Sequence, residues 1–255
     1  MTAAAYDPHL YRLLHTGNPG DLCFYRSECP VGTDVLELGC GWGRITLDLL
    51  RNGATITALD LHEGMLGMLR DTAASLPGDP ARHLTVLRAD MRCFSLDAAF
   101  DRIIIPYNGL LCLLSDDDII RCLSGAAGHL KPAGELLFDI YHIPMDSSDA
   151  PSEDDTLEHI AVLYDETRTI HVFEQSVPHP DPQRLDTTYR HIIVDENGGE
   201  QQAEYTIQQR CIYKEDLPSL LIRAGLTLTS LTADFRGAPV DDDSDQLVVR
   251  ARRVL

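Results

Sequence analysis

Val35-Leu36-Glu37-Leu38 runs straight into Gly39-Cys40-Gly41-Trp42-Gly43-Arg44, and a helical pattern over Arg44–Leu50 follows at once. An apolar strand that empties into a glycine turn at a helix start is the opening unit of an open α/β sheet. Ligands of such sheets lie at the carboxyl ends of the strands. Glycines let the chain take positive φ and let a ligand approach bare backbone. The next apolar run, Thr55–Leu59, ends on Asp60, where an acid can accept both hydroxyls of a ribose or, alternatively, cap the following helix.

Outward from this unit, strand and helix patterns take turns. Helix His62–Ser75 precedes strand Leu84–Leu87 and then strand Arg102–Ile105. A helix opened by Ser115, with Asp116, Asp117 and Asp118 in its first turn to complement the helix dipole, leads through the turn Lys131–Gly134 to strand Glu135–Ile140. Repeated βα units imply a parallel sheet with helices on both faces. From Met145 the pattern changes. An acidic linker, Met145–Asp155, precedes period-2 runs at Leu157–Tyr164, Thr169–Val177, Leu185–Val194 and Ala203–Tyr213, joined by hairpin turns at Asp165-Glu166 and Asn197-Gly198-Gly199. Helix Glu215–Ala224 and runs Leu226–Thr232 and Gln246–Ala251 return to the first sheet. The expected organisation is an N-terminal helical arm (1–33), a Rossmann-like domain (34–144 and 214–255) and an antiparallel lid or substrate subdomain (145–213).

The 255 residues are 44% hydrophobic, enough for a sizeable core. A formal net charge of -19 repels phosphate-rich partners, so nucleic acids and anionic membranes are not expected. The longest apolar stretch, Ile103–Leu114, is too short to span a bilayer, and MTAAAYDP lacks the features of a secretory signal. The chain reads as cytoplasmic. Seven scattered cysteines and ten histidines form no zinc-type spacing, so no metal is expected.

A dinucleotide fingerprint requires a small residue at position 44, where this chain has Arg44. The alternating spacing Glu37-x-Gly39-x-Gly41-x-Gly43 instead resembles the first motif of class I S-adenosylmethionine-dependent methyltransferases. In that resemblance Asp60 matches the ribose-binding acid. Asp90 and Met91, after the third strand, are similar to the adenine site, with Asp90 accepting from the exocyclic amine and Met91 packing on the ring. Asp21-Leu22-Cys23-Phe24-Tyr25 resembles the segment whose Tyr25 reaches the cofactor. With Cys40, Leu61 and Pro106, these residues make up the cofactor-binding set that the resemblance implies. Phe100–Ile105 with Tyr107-Asn108, and His129–Gly134, follow later motifs, with Ala133 departing from the usual second glycine.

The C-terminal part, including Leu217-x-x-Leu220-Leu221-x-x-Ala224-Gly225-Leu226 and Asp234-Phe235-x-Gly237-x-Pro239, resembles the small-molecule branch with an antiparallel lid, which includes glycine and amino-sugar N-methyltransferases. The implied fold is a seven-stranded, mostly parallel sheet with the lid inserted after strand five. The implied reaction is in-line methyl transfer from S-adenosylmethionine to N, O or S of a small molecule, leaving S-adenosylhomocysteine. Tyr107 and His142, at the ends of strands four and five, are the expected catalytic residues. Tyr11, Asn108, Tyr141, Arg210 and Tyr213 are the expected acceptor-binding residues, and a homodimer is an open expectation. Trp42, the only tryptophan, is expected to cover the glycine loop and report binding by fluorescence. Three readings compete: a cofactor-binding protein without catalysis, a nicotinamide-dependent oxidoreductase, and an aminopropyltransferase, which would want an acid where Pro106-Tyr107 stand.

Overall fold

The computed structural model describes residues 7–77, 82–141, 157–242 and 244–254. The expected catalytic residue His142 and the linker Met145–Asp155 lie outside the described residues. The chain divides into two compact units, one of Gly17–Ile143 with Ile212–Leu255, the other of Met1–Thr16 with Pro144–Cys211. Residues 1–33, read as one arm, are therefore divided between the units.

The larger unit carries α2 (Asp21–Glu28), β1 (Asp34–Leu38), α3 (Arg44–Arg51), β2 (Thr55–Asp60), α4 (Glu63–Ala74), β3 (Leu84–Arg88) and β4 (Phe100–Ile105). It continues through α5 (Asp116–His129), β5 (Leu130–Tyr141), α6 (Leu217–Arg223), β10 (Leu226–Thr232) and β11 (Gln246–Arg253). Its seven strands run in the order β10-β11-β5-β4-β1-β2-β3. β1 pairs in parallel with both β2 and β4, whereas β11 is antiparallel to β5 and to β10. This is the mixed, mostly parallel α/β sheet that the alternation of runs predicts. The strand order reverses between β1 and β4, which places a binding crevice at their carboxyl ends.

Alternation along the buried strands builds two cores. Leu36, Leu38, Ile103, Ile105, Leu136, Phe138 and Ile140 face one side with α5 and α6, while Val35, Ile56, Ala58, Ile104 and Leu137 face the other with α3 and α4. Ser115 caps α5 by accepting from the Asp118 amide, as its first-turn pattern predicts. β5 begins earlier than expected, because Leu130 pairs with Phe100 before a register shift and carries the predicted turn into the strand.

In the smaller unit, α1 (Pro8–Leu14) accompanies a four-stranded antiparallel sheet, β6 (Glu158–Asp165), β7 (Arg168–Pro180), β8 (Gln183–Val194) and β9 (Glu200–Arg210), in sequence order. Asp195 Oδ1 accepts from the Asn197 and Gly199 amides and fixes the β8–β9 turn. Leu10 of α1 packs with Ile170, Val172 and Ile193 of the sheet.

Beside them sits an aromatic cluster. His15 Nε2 lies 3.1 Å from the Tyr205 hydroxyl, and the His191 ring stacks on Tyr205. His191 is 0% exposed, and among the described residues neither ring nitrogen has a hydrogen-bond partner. Burial pushes His15 down from 6.5 to about 4, with the neighbouring His191 adding to the shift. Burial lowers His191 as well.

The depressed His15 value sets a sign for stability. Above pH 6.5 the imidazole is neutral folded or unfolded; below it the unfolded chain takes up the proton first, so stability falls as pH drops. The His15 contribution reaches about 3 kcal/mol by pH 4. Thermal unfolding followed by circular dichroism between pH 7.5 and 4 is expected to show a steeper loss for the native chain than for His15→Phe. Equal slopes would remove His15 as the cause.

Candidate methyl-donor site

At the carboxyl end of β1 the glycine turn is pinned to the end of β2. The Gly39 and Cys40 amides both donate to the Leu59 carbonyl, at 2.8 and 3.0 Å, and the Gly41 amide donates to Asp60 Oδ2 at 2.8 Å. The Gly43 amide donates back to the Cys40 carbonyl. These four N–H groups are thus consumed inside the fold.

The three glycines have positive φ, but their surroundings differ. A Cβ on Gly39 or Gly41 would meet nothing within 4 Å, whereas one on Gly43 would lie 2.3 Å from Leu69 Cδ1. The first two front open space and the third lets α3 pack on α4. Trp42 is partly buried on the adjoining core.

Asp60 is half-buried. Its other oxygen accepts from the His62 amide at 2.8 Å, and each oxygen keeps a second lone pair. The alternative role, capping α4, belongs instead to His62, whose side chain accepts from the Met65 amide. Leu61 stands 38% exposed beside Asp60, an apolar side chain in the open at the strand end. Asp90 is engaged by Arg92, which donates from Nε and Nη2 and from its backbone amide, and this pairing lowers the carboxyl pKa. Met91 is half-buried and, like Leu87 and Ala89, packs against the core that includes Leu36, Leu38 and Ile103.

Glu37 is buried and accepts from the Thr46 hydroxyl. Burial raises it from 4.5 to about 7, against the lowering effects of Thr46 and Arg44. Cys40 is buried, and the same cause pushes its thiol well above its ordinary value.

At the ends of β4 and β5, Pro106 is buried, and Tyr107 and Asn108 both take left-handed conformations, with φ of 54° and 60°. Non-glycine residues rarely do so, and each such residue stores strain of order 1 kcal/mol. Two side chains hold the turn. Asp139 Oδ1 accepts from the Tyr107 amide at 2.9 Å, and Asn108 Oδ1 accepts from the Tyr141 amide at 2.7 Å. The Tyr107 phenol is hydrogen-bonded by the Gly17 backbone and its ring lies under the Arg44 guanidinium, 5.5 Å from the centroid. Burial raises its pKa, so it stays protonated. It can donate a hydrogen bond but does not serve as a base near neutrality.

Sequence reasoning missed Asp139. Its carboxylate is fully buried and also accepts from the Tyr25 hydroxyl at 2.6 Å and from Asn18 Nδ2 at 3.2 Å. The signal was present as an acid inside the otherwise apolar run Leu136–Ile140. Tyr25, expected at the cofactor, is fully buried with its phenol on Asp139. Arg44 forks onto Asp21, which also accepts from the Asn18 amide.

Of the remaining acceptor candidates, Arg210 and Tyr11 belong to the smaller unit and Tyr213 to the larger. Arg210 donates to the Gln183 carbonyl, the Gln183 side chain and the Cys211 carbonyl, fastening the end of β9 to β8. Tyr11 packs against His15 in the smaller unit. Tyr213 lines a small surface recess of the larger unit with Lys214, Val240 and Asp241. Among the described residues no cluster of metal-ligating side chains occurs.

The arrangement fits S-adenosylmethionine better than a dinucleotide. A pyrophosphate needs free N–H donors, and those of Gly39, Cys40, Gly41 and Gly43 are already used. An uncharged ribose and adenine need an acceptor, apolar surface and open space over the glycines, which Asp60, Leu61, Met91 and the Gly39–Gly41 face provide.

Residues 35–134 match the family model described as a methyltransferase domain. YqeM of Bacillus subtilis (strain 168), whose naming as a methyltransferase is itself provisional, is 26% identical over 230 residues, 86% of this chain and 83% of its own. A solved S-adenosylmethionine-dependent methyltransferase from Clostridium acetobutylicum ATCC 824 superposes with a TM-score of 0.75 at 17% identity, covering 96% of each chain. The sugar N-methyltransferase KedS8 from Streptoalloteichus sp ATCC 53650 gives 0.72 at 20% identity, over 96% of this chain and 91% of its own. The chain therefore carries a methyltransferase domain at residues 35–134, within the fold of the class I S-adenosylmethionine-dependent methyltransferases.

Proposed function

We propose that this enzyme moves the methyl group of S-adenosylmethionine to a heteroatom of a small, dissolved acceptor, with amine nitrogen the first class to test. The observation that carries the reading is the glycine turn, which presents an open face while its own amides are spent internally. Neighbouring acids add to it. Glu37, Asp60 and Asp139 are all satisfied by uncharged donors: Thr46, backbone amides, the Tyr25 phenol and the Asn18 amide. Their negative charge is left for a ligand to balance, which suits a cationic donor and an amine.

Bound S-adenosylmethionine supplies a methyl group on a sulfonium, already an activated leaving group. The protein's part is to orient and to exclude water. Asp60 accepts from the ribose hydroxyls while holding the Gly41 amide, and Asp90 and Met91 take the adenine edge and face. Tyr107, kept protonated, offers a hydrogen bond and a wall beside the crevice between β1 and β4. An amine acceptor needs only to arrive with its lone pair free, and its proton leaves to solvent or to a base after transfer. The net charge of -19 argues against nucleic-acid acceptors. A cytoplasmic location, alone or as a homodimer, is part of the proposal; among the described residues no helix is long and apolar enough to cross a membrane.

Titration calorimetry with S-adenosylmethionine, S-adenosylhomocysteine and NADH, with Trp42 fluorescence in parallel, is expected to show binding of the first two and none of the third. NADH binding alone would transfer the chain to the dehydrogenases. Asp60→Ala is expected to weaken S-adenosylmethionine binding at least about tenfold, about 1.4 kcal/mol, with the fold intact by circular dichroism. Unchanged affinity would take Asp60 out of the site. Near pH 6.5 Glu37 and Asp139 are partly protonated, and a bound cation favours their charged forms. Calorimetry in buffers of different ionisation enthalpy should therefore record more protons released by S-adenosylmethionine than by the neutral sulfide S-adenosylhomocysteine, and the preference for the former should grow as pH rises from 5 to 8. Equal proton release would show that the acids do not sense the sulfonium.

A further inference from the structure

Asp139 brings three separate stretches of chain together. Oδ1 accepts from the Tyr25 phenol on α2 and from the Tyr107 amide in the turn after β4, and Oδ2 accepts from the Asn18 side chain ahead of α2. The carboxylate itself sits on β5 and is fully buried. Each of these partners is a donor, so the carboxylate acts as an acceptor only. With both oxygens engaged and no exposure, it does not reach a ligand.

We infer that Asp139 is a positioning residue for methyl-donor binding, its carboxylate clamping the left-handed Tyr107–Asn108 turn and the Asn18–Tyr25 segment into the arrangement that receives the donor. The inference rests on the methyl-donor reading above. Tyr107 and Asn108 stand at the strand ends where the sheet order reverses, and their strained conformations persist only while something outside the turn holds them. The Tyr107 amide has Asp139 as that hold, and Asn108 returns a bond to Tyr141 two residues along the same strand as Asp139.

Burial raises Asp139 from 3.8 to about 6, opposed by the Tyr25 hydrogen bond and the Tyr107 and Asn108 amides and reinforced by Asp21. The other titratable groups around it are Tyr25 itself, Glu37 on β1, and Tyr107, with Arg44 answering Asp21. When Asp139 takes up a proton, one oxygen becomes a donor and the bonds from the Tyr25 phenol, the Asn18 side chain and the Tyr107 and Asn108 amides cannot all persist.

The test uses S-adenosylhomocysteine, because its sulfide carries no charge and an affinity change then reports geometry rather than attraction to a sulfonium. The full chain is titrated calorimetrically between pH 5 and 8, and amide hydrogen exchange is followed in the ligand-free chain. Affinity is expected to fall five- to tenfold through a step near pH 6. In Asp139→Asn that step disappears while any change centred on Glu37 near pH 7 stays, and exchange at Tyr107 and Asn108 accelerates at least tenfold without loss of protection in β4 and β5. Tyr25→Phe keeps the carboxylate but removes a bond that favours its charged form, so the midpoint should move upward. A native profile without the step, a wild-type step in Asp139→Asn, or an unmoved midpoint in Tyr25→Phe overturns the inference. If the native chain binds neither methyl donor nor product at any pH, the donor reading itself falls. Exchange then decides the clamp alone: unchanged Tyr107 protection in Asp139→Asn removes it, and a loss confined to the turn sustains it.

Discussion

The Leu59 carbonyl, accepting two consecutive amides from the glycine turn, is the constraint from which the site follows. Once Gly39 and Cys40 are tied to the end of β2, the Gly41 amide is presented to Asp60, and the turn's outer face is bare. A backbone fixed this way has little to offer a phosphate and much to offer a ligand that lies flat against it. The choice between two cofactor classes that use the same strand–turn–helix is therefore made by where four N–H groups point, more than by how many glycines there are.

The two edges of the large sheet treat their acids differently. At the amino ends of the strands, Lys131 joins Asp34 and Asp101, and Glu135 is shared by Arg250 and Arg252, so charge meets charge. At the carboxyl ends, Glu37, Asp60 and Asp139 meet hydroxyls, a carboxamide and backbone amides. Hydrogen bonds from neutral groups satisfy lone pairs without cancelling the field. At one end the acids are answered by cations; at the other Asp90 has Arg92, while Glu37, Asp60 and Asp139 rest on neutral donors, which is the contrast that the proposed function draws on.

Much of this was legible in the sequence. The alternating runs yielded the strands and helices because a buried parallel sheet leaves long apolar stretches, and the glycine spacing with Asp60 pointed to the strand ends where the candidate site is proposed. What was hidden depends on partners far apart in the chain. Tyr25 was expected at the cofactor, but its phenol goes to an acid 114 positions later. Arg44 served as a negative signal against dinucleotides, whereas in the structure it is a pairing partner for Asp21 and a cover for Tyr107. Arg210 looked like an anion-binding side chain and instead ties down carbonyls, which no local pattern announces. Asp139 was visible as an anomaly, since an isolated acid in an apolar strand has to find donors, but only the fold says which.

The left-handed pair Tyr107–Asn108 also bears on how this sequence can change. Glycine at either position would relieve backbone strain of order 1 kcal/mol. At position 108 that replacement would delete the carboxamide that holds Tyr141, and at 107 it would delete the ring beneath Arg44. Backbone strain and side-chain bonding pull in opposite directions at these two residues. A lineage kept for its catalysis should retain side chains here that a lineage kept only for its fold would discard.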